Sequence, residues 1–377
     1  MESPPWLRSS RRDNLLPRLA AWSMGPCATT GNRLPSAGIA AYCWRVDHAP
    51  TIYDVARAAG VAPSTVSRAF SRPGRVNAQT AARIRQVAND LGYRTNPLAR
   101  GLSTARTQMI ALMVPDITNP FYFEIIRGAE SAAAEAGYTL VLSDTQESRR
   151  LEQVALERAA PAVEGLVLLS TRMSDAEIRQ YAGQKPLLVL NRAVSDVPSV
   201  ITDNAQGTRR AAEHLGRLGH ATITYVAGPE ASWADASRWL ALREASIELE
   251  LKVHRIGPFI PTIEGGLYAA QEFVASPTSA AICYNDILAV GFLRGLAAEG
   301  LRVPDDVSVI GFDNTLIADL VEPGLTTVAA PLRTMGTTGV QNLLAHINGA
   351  RSRTGEPVIL PTRLVVRGST MPVGQRR

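Results

Sequence analysis

The stretch Thr51-Ile-Tyr-Asp-Val-Ala-Arg-Ala-Ala-Gly-Val-Ala-Pro-Ser-Thr-Val-Ser-Arg68 decides how the chain is read. Thr51 caps a helix over 52–59, with Asp54 at the third helical position in a capping-box-like arrangement. Gly60 supplies the left-handed residue that ends this helix, and Val61 packs the turn. Pro63 opens a second helix running to Phe70, at a position where its missing N–H costs nothing. Arg72-Pro73-Gly74 breaks the chain. A third helix follows Asn77 as N-cap and keeps Ala81, Ile84, Val87, Ala88 and Leu91 on one face before it stops at Gly92. A helix, a tight glycine-containing turn and a second helix make the helix-turn-helix unit, whose second helix fits the ~12 Å major groove of DNA.

Charge supports that reading. Residues 51–106 carry nine arginines and no lysine against Asp54 and Asp90, a local charge of +7 within a chain whose formal net charge is +5. Residues 1–50 contribute a further +3, so residues 107–377 carry −5. A basic head on an acidic body calls for a polyanionic partner at the head alone. A solvated basic face is the bland alternative from charge by itself.

On the N-terminal side, residues 1–49 are rich in Pro, Arg, Ser, Ala and Gly and show neither a helical nor a strand period. They are expected to form a disordered tail, and Val46 is a candidate start of translation. No run of ~18 apolar residues occurs, and the first 50 lack the continuous apolar stretch of a signal peptide, so neither membrane insertion nor export is expected. The cysteines Cys27, Cys43 and Cys283 are odd in number and widely spaced, without metal-ligand spacing. A reducing cytoplasm fits them best.

On the C-terminal side, the pattern changes after Arg106 to repeated strand, loop and helix. Strands are expected at 109–114, 139–142, 165–169, 187–190, 200–202, 222–226, 280–283 and 307–312. Helices are expected over 121–136, 149–159, 205–218, 287–298 and 334–347. Runs of Val, Ile and Leu without alternation indicate parallel strands buried on both faces. So many units exceed one small sheet. The expected fold is therefore an all-α helix-turn-helix head (50–94), a short connection (95–106), and an α/β core (107–377). That core is built as two doubly wound parallel-sheet lobes, with ligands held at the carboxyl ends of the strands.

These segments, taken in order, closely resemble the LacI/GalR (lac repressor) family. The head matches over Thr51–Arg68, the connection over Asn96-Pro-Leu-Ala-Arg100, and the opening of the core over Pro115-Asp-Ile-Thr-Asn-Pro-Phe-Tyr122. Asn285-Asp286, Val303-Pro-Asp-Asp-Val-Ser-Val-Ile-Gly-Phe-Asp313 and Leu325-Thr-Thr327 follow later, so the likeness covers about 51–370. It implies a periplasmic-binding-protein-like core and a homodimer on a pseudo-palindromic double-stranded operator. It also implies a small-molecule effector, most simply a sugar, held between the lobes of a cytoplasmic repressor.

For the DNA surface the resemblance implies Pro63, Ser64, Thr65, Ser67 and Arg68 on the second helix, joined by Tyr53 and Arg75. Physically, Arg68 can fork onto guanine or a phosphate, and the short hydroxyls of Ser64 and Thr65 can donate near a helix N-terminus. Val61 and Val66 are expected to pack in the core. Ala62 stands where the family usually has Ser, which removes an N-cap worth roughly 1 kcal/mol. In the connection, Asn96 is a good N-cap and Pro97 suits the first helical position, but two turns are too short to be stable alone. The family's minor-groove wedge corresponds to Leu102, with Ala99 beside it, and Gly101 lowers the helix propensity further.

For the effector the resemblance carries over Phe121, Tyr122, Asn191, Arg192, Arg238, Asn285 and Asp313. Asp313 ends a buried run, where a carboxylate can accept bonds from two hydroxyls; Arg238 can fork onto vicinal oxygens; aromatic faces suit a pyranose or purine. Phe121 reads equally as core, and Arg192 equally as an ion pair at the surface or between lobes. The segment Ser232–Leu242 departs from the family, with Ala241 and Leu242 where Gly and an aromatic are common and with Trp233 and Trp239 adding bulk.

Against these stand an enzyme and an exported sugar-binding protein. The chain has no GxGxxG, Walker, GxSxG or HExxH motif, and its five histidines form no ligand or dyad spacing. No cofactor or metal is expected. An exported binding protein would share the core but would have no basic three-helix head.

Overall fold

The computed structural model describes residues 50–71, 73–94, 106–350 and 356–375. The expected tail (1–49) and the Asn96, Ala99 and Leu102 of the connection lie outside the described residues. The chain forms two compact units that divide between Tyr93 and Arg94.

The first unit contains α1 (Ile52–Ala59), α2 (Pro63–Ser71) and α3 (Ala78–Asp90), with a single 3₁₀ turn at Pro73–Arg75. Asp54 anchors the start of α1 by accepting from the Thr51 backbone N–H at 2.9 Å and from its hydroxyl at 2.6 Å. Gly60 ends the helix at φ +62°, where an L side chain is strained, and the Val61 N–H returns to the Ala56 carbonyl at 3.0 Å. Asn77 caps α3 through Gln79. Val55, Val66 and Ile84, one from each helix, are fully buried and form the centre of the small core. Val61 packs against its edge. Leu91, expected on the buried face of α3, is instead 40% exposed because the helix has ended at Asp90.

The second unit consists of two lobes. In lobe one, β1 (Met109–Val114), β2 (Thr139–Asp144), β3 (Gly165–Leu169), β4 (Leu187–Leu190), β5 (Ser199–Thr202) and β11 (Val358–Leu360) form a sheet ordered β11-β5-β4-β3-β1-β2. Every pairing in it is parallel. Alternate residues of each central strand feed opposite cores. Ile110 and Leu112 face α4 (Phe121–Glu135) and α12 (Leu332–Ile347), whereas Ala111 and Met113 face α5 (Arg149–Ala159) and α6 (Asp175–Ala182). Burial on both faces explains the unbroken apolar runs of these strands.

Lobe two repeats the plan with β6 (Thr222–Val226), β7 (Lys252–Ile256), β8 (Ala280–Cys283), β9 (Ser308–Asp313), β10 (Thr326–Ala329) and β12 (Arg363–Val365), ordered β12-β10-β9-β8-β6-β7. One face carries α7 (Asn204–Arg217) and α8 (Trp233–Glu248); the other carries α9 (Ile263–Phe273), α10 (Asp286–Ala298) and the short α11 (Leu316–Leu320). The sheet is parallel except at its edge, where β12 runs antiparallel to β10.

The chain crosses between lobes three times: after β5, after β10, and between β11 and β12. Two crossings are bound to each other, since the Asp203 N–H donates to Leu360 at 2.9 Å and the Thr362 hydroxyl donates to the Asp203 carbonyl at 3.0 Å. Arg210 adds a bond to the Thr362 carbonyl at 2.7 Å. Among the described residues no helix is long and apolar enough to cross a membrane.

Candidate functional site

On the head, the polar residues of α2 separate from its apolar ones by helical period. Val66 and Ala69 point into the core, while Ser64, Ser67 and Arg68 are exposed and Pro63 and Thr65 half-buried. Tyr53 on α1 is 66% exposed, and Arg75 is exposed beyond α2. The Arg68 guanidinium folds back along its own helix, donating through Nε to the Ser64 carbonyl at 3.1 Å and through Nη2 to the Ser64 hydroxyl at 3.3 Å. The result is a short cationic and hydroxyl-bearing ridge with an aromatic beside it. Its donors suit phosphate oxygens and base edges.

The core unit has a narrow cleft between its lobes. Lobe one supplies Asn119, Phe121, Tyr122, Glu147 and Asn191; lobe two supplies Arg238, Pro261, Tyr284, Asn285 and Asp313. Asn191, Tyr284 and Asp313 reach the cleft at the ends of β4, β8 and β9, because parallel strands deliver their carboxyl ends to one side of each sheet. The cavity is about 10 Å³, room for about one water, so the lobes are closed on each other here.

Arg238 and Asp313 form the centre of the lobe-two wall, with side chains only 4% and 5% exposed. The Arg238 Nη2 stands 3.4 Å from Asp313 Oδ1, Nη1 donates to the Tyr284 carbonyl at 2.5 Å, and Nε donates to Asn204 Oδ1 at 3.0 Å. The Phe312 ring lies 3.5 Å from the guanidinium carbon. Asp313, the last residue of β9, holds φ at +105°. Burial pushes its carboxyl well above the usual carboxylate range, with Asp286 pushing the same way and Arg238 opposing. Asp286 is fully buried beneath it; burial raises its carboxyl to about 6 against the lowering effect of bonds from Thr327 and Thr315.

On the opposite wall, Asn191 directly follows β4 in the left-handed region at φ +61°. Its Nδ2 donates to Ser170 at 2.9 Å, and its Oδ1 is buried with no donor. Such an acceptor costs stability unless something else satisfies it. Phe121 and Tyr122 begin α4 in edge contact, centroids 5.0 Å apart, and serve both the lobe-one core and the cleft lining. Asn285 caps α10 through Leu288 at 3.1 Å.

Six of the seven expected effector residues therefore share one cleft. Arg192 does not join them. It pairs with Asp175 at 2.5 Å and donates to the carbonyls of Thr171 and Met173, holding the start of α6. It lines instead a neighbouring chamber between the lobes. Trp239 stacks on Tyr225 at 5.7 Å, whereas Trp233 lines that chamber. Sequence reasoning missed Asn119, Glu147, Pro261 and Tyr284. Tyr284 immediately precedes Asn285 at the end of β8, and that strand-end position was the available signal. No group of three or more metal-ligating side chains occurs among the described residues.

The family model for bacterial regulatory proteins of the lacI family matches residues 51–96, and that for a periplasmic binding protein-like domain matches residues 212–370. The HTH-type transcriptional regulator DegA of Bacillus subtilis (strain 168) is 32% identical over 334 residues, covering 86% of this chain and 98% of its own. The lac repressor dimer bound to operator and the anti-inducer ONPF superposes with a TM-score of 0.78 at 27% identity, over 86% of this chain and 100% of that one. A LacI family regulator from Enterococcus faecalis V583 with bound ribose has a TM-score of 0.64 and 31% identity, over 70% of this chain and 99% of that one.

Proposed function

This chain belongs to the lacI family of bacterial regulatory proteins, and on that premise we propose that it is a cytoplasmic repressor, a homodimer without catalytic activity, that a sugar controls from the interlobe cleft. It is a DNA-binding transcription regulator. Its relatives include a repressor dimer seen on operator DNA and a regulator seen with ribose. The observation that carries the effector reading is the buried Arg238–Asp313 pair facing the unsatisfied Asn191 Oδ1 across the cleft. A polyol presents hydroxyls that donate and accept at once, so it can bond Asp313 and Asn191 with its protons and Arg238 with its lone pairs. Phe121 and Tyr122 offer apolar faces to a sugar ring.

In this reading Pro63, Ser64, Thr65, Ser67 and Arg68, with Tyr53 and Arg75, face the duplex, and Asn96, Ala99 and Leu102 of the connection contribute to the DNA contact. Two-fold symmetry puts two heads on two half-sites. The effector binds between the lobes and changes their closure, and operator affinity follows that shift in population. Gel retardation of a DNA fragment from upstream of its own gene, with and without each of a panel of sugars, tests the proposal. Retardation that one sugar alters is expected. Failure to retard the fragment with or without every sugar overturns it.

A further inference from the structure

We propose that the outer face of α8 is a contact between two copies of this chain, which joins two homodimers into a tetramer; the inference rests on the homodimer reading above. On α8, Ala236, Leu240, Arg243, Glu244 and Ile247 are exposed, Leu240 at 55% and Ile247 at 80%. No other large apolar side chain among the described residues is as exposed as Ile247. At about 100° per residue all five fall on one side of the helix, opposite the Arg238, Leu242 and Ala245 that it buries. Leu240 and Ile247 are seven residues, about 10 Å, apart along that side.

The homodimer has a larger seat elsewhere on the same lobe. Ile260, Ile263, Tyr268, Leu316 and Leu320 are exposed at or beside α9 and α11, and several apolar side chains gathered on one face mark an association surface. Those helices cover one face of the lobe-two sheet, while α7 and α8 cover the other. One protomer can therefore make both contacts at once. A second two-fold contact, added to that of the homodimer, closes two dimers into a tetramer.

Charge selects both the occupant and its orientation. Among the described residues neither the Arg243 guanidinium nor the Glu244 carboxylate has a partner, whereas Glu248 at the rim is taken by Arg209 at 2.6 Å. Three and four residues beyond Leu240, Arg243 stands on one flank of the apolar stripe and Glu244 on the other. A two-fold axis running along α8 sets Leu240 against Leu240 and Ile247 against Ile247, and brings Arg243 of each copy to Glu244 of the other. An axis across the helix would make the copies antiparallel and keep each flank on its own side, Arg243 against Arg243. The free charges thus favour the parallel pairing, as flanking charges set orientation in coiled coils. Ala236, one turn before Leu240, is small enough to let the two helices approach. A surface that carries its own complement on its two flanks fits a second copy of itself.

Sedimentation equilibrium of the full chain, from low to high micromolar, tests the contact. The wild type should show dimer and tetramer in exchange. Leu240→Glu should weaken tetramer formation at least tenfold, and so should Arg243→Glu, which sets like charges together. Arg243→Glu combined with Glu244→Arg should restore the wild-type constant to within threefold, an outcome that general damage to the helix cannot produce. All four positions of the stripe are on the surface, so the Tm of each variant should match that of the wild type. A wild type that stays dimeric at every concentration overturns the α8 contact and leaves the homodimer standing. So does a tetramer that survives Leu240→Glu, or a double variant as weak as Arg243→Glu alone. A wild type that sediments as a monomer throughout removes the homodimer reading, and this contact with it.

Discussion

Arg238 lies over Phe312, guanidinium carbon 3.5 Å from the ring centroid, and this contact aims the cation at the cleft. A planar guanidinium with its face covered can bond only in its plane. There the Tyr284 carbonyl, Asn204 and Asp313 meet it. Phe312→Leu keeps the buried volume roughly constant but removes the stack, worth about 1 to 2 kcal/mol at a desolvated site. Effector affinity, measured by calorimetry, should fall about tenfold, with operator binding retained. Undiminished affinity would show that the stack does not position Arg238.

Asn191 offers a cleaner probe of the same cleft. Asn191→Gly preserves the left-handed backbone and deletes both the unsatisfied Oδ1 and the bond to Ser170. Those losses oppose each other in the free protein, so its Tm should move by no more than about 3 °C. Effector affinity should fall by a factor of about ten. A large drop in Tm with unchanged affinity would make Asn191 purely architectural.

On the head, Arg68→Ala removes the one cation of the α2 ridge. Because the side chain is exposed and bonded only within its own helix, thermal stability should barely change. Operator affinity should drop by about 10- to 100-fold, the scale of one bidentate base contact. Effector binding, read by thermal shift, should be intact; its loss would mean that the two sites are not separate.

Asp286 makes stability depend on pH. Its carboxyl sits at about 6 in the folded chain against about 3.9 when unfolded, so the folded state binds the extra proton between those values. The stability it contributes is complete below about pH 4 and is lost as pH rises through 6. Asp286→Asn keeps one acceptor oxygen for the two Thr315 bonds and loses the titration. The Tm difference between wild type and variant should grow in favour of the variant from pH 4.5 to 7. Parallel curves would assign the shift elsewhere.

Where the pattern had a single physical cause, the elements were legible in the sequence. The capped α1, the glycine stop at Gly60 and the doubly buried central strands all lie within a residue or two of expectation. The edges were not. The strand Lys252–Ile256 has Val253 and Ile256 separated by two polar residues in mostly exposed positions, which breaks the alternation, and β11 and β12 are three residues each, below the length at which a period can be read. Helix α8 escaped because Leu240 is exposed and Leu242 buried amid alanines, which blurs its apolar face. Asp313 was recognisable by its position at a strand end, and Arg238 and Asn285 through the family resemblance. Glu147 and Asn119 were not, because their place in the site depends on one lobe closing against the other.

The three crossings between the lobes set a limit on how this protein can be recombined. The head is joined to the core by one stretch of chain and can be exchanged for another at a single junction, leaving the sensor whole. Neither lobe can be traded that way: the residues of each are interleaved with those of the other, and the last two strands, β11 and β12, belong one to each sheet. New operators are therefore within reach of a single splice, whereas new effectors must arise by point changes within an indivisible body.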